Sequence, residues 1–177
     1  MTTNEEIQPD TKDWTWVLSQ RCPECGFTAT DVAGPAIGGT VRDLAPRWVS
    51  ALNRPDARVR PAPTTWSPLE YGAHVRDAFI VYGTRVASMR HTDNPLFPDW
   101  NQDETALAER YWEQEPDKVA DELAVEGERL TGDLDEVAAD EWQRRGRRSD
   151  GSEFTIDSLV RYLLHDVVHH LHDVGRG

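Results

Sequence analysis

The C-terminal stretch Thr155–Val174, TIDSLVRYLLHDVVHHLHDV, most constrains what this chain can fold into. Four of its six histidines (His165, His169, His170, His172) fall within eight residues of that stretch. Ile156, Leu159, Val160, Leu163, Val167, Leu171 and Val174 recur at three- and four-residue steps, the period of an amphipathic helix. Thr155 is suited to cap its start, and Gly175 and Gly177 end the pattern. A helix so apolar on one side must pack against others. Imidazoles on it are costly to bury without a partner, which points to a metal site or a proton-transfer site.

At roughly 100° per residue, with Ile156 at zero, the apolar stripe centres near about 20–40°. Asp166 and His170 then fall at roughly 280° and 320°, on the border of the buried face, and Asp173 falls near about 260°. His165 and His169 fall at roughly 180° and 220°, toward solvent. Both pairs are spaced i,i+4, so either can direct two side chains at one ion. The wheel favours Asp166 with His170, and Asp173 to orient a ligand. His165 with His169 is the alternative register, and a solvated helix flank is the bland reading of the whole cluster.

Upstream, Ser67-Pro68-Leu69-Glu70 carries a helix start in full: an N-cap, a proline at the first helical position and a capping-box glutamate. That helix runs to Met89 and carries His74 at the edge of its apolar stripe. Apolar spacing predicts a first helix over Asp31–Leu52, capped by Asp31, followed by a loop at Asn53–Pro63. His91–Trp100 reads as a loop and Glu104–Glu115 as an acidic helical region. A third long helix opens at Pro116 and reaches about Ala139. The segment Glu141–Glu153 holds Arg144, Arg145, Arg147 and Arg148, the one basic cluster of the chain. It reads either as a solvated turn or as a docking site for an anionic group on a cofactor or substrate. No convincing strand is present. The expected fold is all-α: a four-helix bundle at 30–177 with a short irregular N-terminal arm at 1–29. His74, Asp166 and His170 on facing helices would leave positions open for water or substrate, the catalytic pattern.

The arm is polar over 1–12 and apolar at Trp14, Trp16, Val17 and Leu18. Cys22-Pro23-Glu24-Cys25 follows it and holds the only two cysteines. Two thiols are half a zinc site, and no second CxxC completes it. Pro23 and Gly26 favour a structural turn, with metal-assisting and redox roles as alternatives, and no chemistry is assigned to it. A net charge of −13 disfavours nucleic acid. No stretch approaches a membrane span and the first residues are no signal peptide, so a cytoplasmic protein is expected. The basic residues are nearly all arginine, lysine occurring only at Lys12 and Lys118, which hints at a GC-rich genome.

WSPLEYGAHVRDAF, followed far downstream by LLHDVVHHLHDV, resembles the DinB-like four-helix bundles, among them metal-dependent thiol S-transferases and the mycothiol-dependent maleylpyruvate isomerase. The resemblance covers roughly residues 30–174 and leaves out the arm. It implies one divalent metal, zinc or nickel, held by His74, Asp166 and His170, with Asp replacing the Glu of the isomerase-like branch and Asp173 as the orienting acid. His165 and His169, with His172, match the all-histidine branch. It further implies a low-molecular-weight thiol of the mycothiol type, activated as a thiolate against an electrophilic substrate, with the arginine cluster holding anionic parts of either. A non-catalytic metal- or ligand-binding bundle, in a homodimer, and a metal-hydroxide hydrolase are the alternative functions.

Overall fold

The computed structural model describes Ile7 and residues 12–175. Most of the polar segment expected at 1–12, and Gly177, lie outside the described residues. Five helices carry the fold: α1 Ile37–Leu52, α2 Pro68–His91, the short α3 Gln102–Ala108, α4 Pro116–Asp135 and α5 Ile156–Gly175. Among the described residues no helix is long and apolar enough to cross a membrane.

The four long helices form the bundle in the cyclic order α1–α4–α2–α5. Helices adjacent in sequence, α1 with α2 and α4 with α5, therefore sit across the bundle from each other. The longer connections span its ends. Trp48 of α1, Phe79 of α2, Leu123 and Leu130 of α4 and Leu163 of α5 are fully buried along the shared axis. Each such side chain contributes about 1.5–3 kcal/mol of burial.

Local sequence signals set the helix starts. Ser67 Oγ accepts from the Glu70 N–H, and Glu70 Oε2 accepts from the Ser67 N–H at 2.8 Å. Arg60 pairs with the same carboxylate out of water and pins the 53–66 loop over the start of α2. Pro116 opens α4 at its first turn. Thr155 Oγ1 accepts from the Ser158 N–H at 3.1 Å, as its capping role requires.

Three expectations are corrected. First, α1 begins at Ile37: Ala29–Asp31 and Gly34–Ala36 form separate 3₁₀ turns, because Gly34-Pro35 interrupts the pattern and Asp31 caps nothing. Second, the acidic region breaks at Arg110, whose φ of 50° ends α3 before the 3₁₀ turn Tyr111–Glu113, and α4 stops at Asp135. Third, strands are present: β1 Leu96–Phe97 runs parallel to β2 Arg145–Arg148, which pairs antiparallel with β3 Glu153–Thr155. The arginine run is thus one edge of a hairpin. Gly146 lies in it because a Cβ there would stand 2.4 Å from the Phe97 ring and 2.9 Å from Met89.

Candidate metal centre

His74 is fully buried on the second turn of α2. Its Nε2 lies 2.9 Å from Asp166 Oδ2, and the other oxygen of that carboxylate lies 3.2 Å from His170 Nε2. One carboxylate thus bridges two imidazoles contributed by facing helices. A ligand atom from each of His74, Asp166 and His170 lies within 4.8 Å of the others. Asp173 Oδ2 accepts from His170 Nδ1 at 3.3 Å, which turns Nε2 toward Asp166. His74 Nδ1 is buried without a hydrogen-bond partner.

Aromatic rings wall this centre. Trp100 stacks parallel on His74 at 5.4 Å between centroids, and its Nε1 donates to Thr105 Oγ1 at 2.9 Å, which ties it to α3. Tyr71 packs on His170 at 4.7 Å and Trp66 on His74 at 5.7 Å. Burial pushes the Asp166 carboxyl up, but attraction from His74 and His170 outweighs it and holds the group well below the usual carboxylate range. For His170 burial works against the charge, yet Asp166 and Asp173 raise it to about 9. In the ion-free state His170 is therefore a cation between two carboxylates, and an incoming divalent ion must displace its proton.

The set fits a divalent metal. Two imidazoles and one carboxylate converge on one point, with a further carboxylate fixing a ring, and three protein ligands leave positions for substrate. A cleft of about 610 Å³ opens on it, lined by Asp166, His170 and Asp173 and, farther along, by Tyr82, Tyr162, Arg85 and Arg148.

The predicted arginines part company in space. Arg144 donates to the backbone carbonyls of Met89 and Thr92 and ties the hairpin to the end of α2. Arg145 and Arg147 are exposed and line no part of the cleft. Arg148 reaches the cleft, its guanidinium 5.4 Å over Phe154 and 5.7 Å over Tyr162, and pairs with Asp150 at 2.7 Å. Sequence reasoning passed over Arg85, three turns beyond His74 on α2. It is buried over the Tyr82 and Phe97 rings and forms no ion pair among the described residues. An arginine on the apolar side of a strong helix was the available signal.

His165 and His169 do not face solvent as the wheel expected. They are 4% and 7% exposed, covered by the N-terminal arm. Trp14 packs on both rings, at 5.6 and 5.2 Å, and Phe27 on His165 at 5.7 Å. The wheel weighs only the helix's own apolar residues and is blind to a segment arriving from elsewhere. His172 belongs to neither metal-capable group.

The family model of the DinB superfamily matches residues 39–174. Among solved structures, YfiT from Bacillus subtilis, described as a probable metal-dependent hydrolase with an unusual four-helix bundle topology, is similar in fold. The TM-score is 0.67 at 13% identity, covering 97% of this chain and 93% of that one. No curated protein matches the chain.

Proposed function

Because this chain belongs to the DinB superfamily, we propose that it is a metal-dependent enzyme that uses His74, Asp166 and His170 to hold a divalent ion, zinc or nickel, and acts on a small anionic electrophile. The observation that carries this reading is the convergence of one ligand atom from each of those three side chains within 4.8 Å, where Asp166 and His170 line an open cleft. When bound, such an ion supplies Lewis acidity, making the conjugate base of water or of a thiol available near neutral pH.

The chain's own groups do the rest. Asp173 holds the His170 ring through Nδ1. Trp100, Trp66 and Tyr71 keep bulk water from the inner side of the ligands. Arg85 offers a buried cation with no ion pair of its own among the described residues, suited to a substrate carboxylate, and Arg148 stands beside it on the cleft wall. A cleft of about 610 Å³ has room for a low-molecular-weight thiol together with a small acceptor. This favours thiol addition, with mycothiol as the candidate donor, in which the thiolate sulfur bonds to the electrophilic carbon of a conjugated carbonyl compound, the carbon–carbon π pair passes toward the carbonyl oxygen, and a proton from solvent neutralises the enolate. Hydrolysis is the second reading, favoured by the fold shared with YfiT.

Elemental analysis of untagged wild type and His74→Ala, followed by turnover of maleylpyruvate with and without mycothiol, tests the proposal. The expected result is an ion lost in the variant and turnover that needs the thiol. Equal turnover without thiol would establish hydrolysis, and an unchanged metal content in His74→Ala would overturn the site.

A further inference from the structure

The CPEC segment and the second histidine pair of α5, 147 residues apart from Cys22 to His169, meet in space. We propose that Cys22, Cys25, His165 and His169 form a second, closed zinc site that fastens the N-terminal arm to α5. One ligand atom from each of the four lies within 4.8 Å of all the others. Cys22 Sγ stands 3.6 Å from His169 Nδ1. The edge of a zinc tetrahedron with Cys and His ligands is about 3.3–3.8 Å, so no pair needs to close by more than about 1.5 Å to complete it.

The arm is shaped for this. The Cys22 N–H donates to the Phe27 carbonyl at 2.8 Å and the Gly26 N–H to the Cys22 carbonyl at 2.9 Å, closing a tight turn around the two sulfurs. Gly26 has φ +78°, a conformation that glycine alone adopts freely. Cys22 is fully buried, and no disulfide joins the two thiols. His165 Nε2 is buried with no hydrogen-bond partner. His169 Nε2 lies 3.7 Å from Glu24, within the CPEC motif itself, and 3.8 Å from Asp173. Carboxylates there orient the ring so that Nδ1 faces the sulfurs, the arrangement that supports zinc-bound histidine. The spacing C-x2-C with H-x3-H is that of Cys2His2 zinc sites.

Two thiolates and two neutral imidazoles saturate a tetrahedral ion and leave no open position, so the site is structural. Binding releases one proton from each thiol: Zn²⁺ and two thiols give a neutral bis-thiolate complex and two protons. The fastened arm places Trp14 and Glu24 on the wall of the cleft that Asp166 and His170 also line.

The test uses the full chain without a polyhistidine tag, loaded with zinc(II) or cobalt(II). Wild type is expected to show a thiolate-to-cobalt charge-transfer band. Its two cysteines should be alkylated by iodoacetamide about tenfold or more slower than after chelation. The double variant Cys22→Ser/Cys25→Ser should lose one ion per chain and the band while keeping the ion that depends on His74. In His74→Ala the band should persist, so failure of the cleft site and failure of this one are separable. Wild type without the band, or thiols alkylated equally fast with and without chelator, would overturn the proposal whatever the variants do.

Discussion

On one flank of α5, His165 and His169 lie under the arm with two thiols and the Trp14 ring. One residue further on, Asp166 and His170 face His74, Asp173 and an open cleft. A single residue step, about 100° of helix, separates the two pairs. Their electrostatics run in opposite directions. Burial, reinforced by His169, lowers His165 to about 4, whereas the carboxylates around His170 overcome its burial and raise it to about 9. Two histidines of one helix, His165 and His170, thus sit in opposite electrostatic surroundings. Soft sulfur and nitrogen would saturate an ion on one flank, while nitrogen and oxygen would leave coordination open on the other.

The sharpest way to break that comparison is to remove the carboxylate that bridges His74 and His170. Asp166→Ala should lower kcat/KM by at least about a hundredfold, beyond what loss of an orienting partner alone costs. Metal analysis should show the ion missing from the cleft flank only. Asp173→Ala should cost about 10–100-fold in metal affinity at the cleft, because His170 keeps its nitrogen but loses the acceptor that aims it. Competitive chelator titration measures this, and undiminished affinity would remove Asp173 from the site.

Proton linkage gives an effect of similar rank in the metal-free protein. His170, raised from 6.5 to about 9, contributes stability that is complete below pH 6.5 and lost as pH climbs through about 9. His165, lowered from 6.5 to about 4, contributes stability held above pH 6.5 and lost as pH falls toward about 4. Urea midpoints of the chelated protein should therefore peak near neutrality. His170→Gln should flatten the alkaline limb, which is worth on the order of 3 kcal/mol. A wild-type alkaline limb that is already flat would contradict the ion pairing around Asp166. The smallest effect is reserved for the substrate side. Arg85→Gln should raise KM for an anionic substrate about tenfold with kcat nearly unchanged, while both flanks keep their metal. A fall in kcat alone would assign Arg85 a different role.

Much of the bundle was legible because its signals are local. The Ser67–Glu70 capping box, Pro116 at a helix start and the three- and four-residue apolar steps of α5 each act within one or two turns. Asp166, His170 and Asp173 were likewise legible, since i,i+4 and i,i+3 neighbours share a helix face in any fold. The start of α1 was misjudged where Gly34-Pro35 makes 3₁₀ turns. The strand Arg145–Arg148 was missed because one partner, β1, lies 51 residues upstream by the Leu96–Arg147 pairing and the other, β3, is too short to show an alternation.

The chain by itself determined where α2, α4 and α5 begin and that Asp166, His170 and Asp173 share one side of α5, because backbone geometry fixes such relations within a few residues. Tertiary structure alone decided that His74 meets Asp166, that Arg85 and Arg148 but neither Arg145 nor Arg147 line the cleft, and that the arm covers His165 and His169. Those pairings join segments tens to more than a hundred residues apart. They follow from the cyclic order in which α1, α4, α2 and α5 pack, and a helical wheel of one segment holds no information about what another segment lays across it.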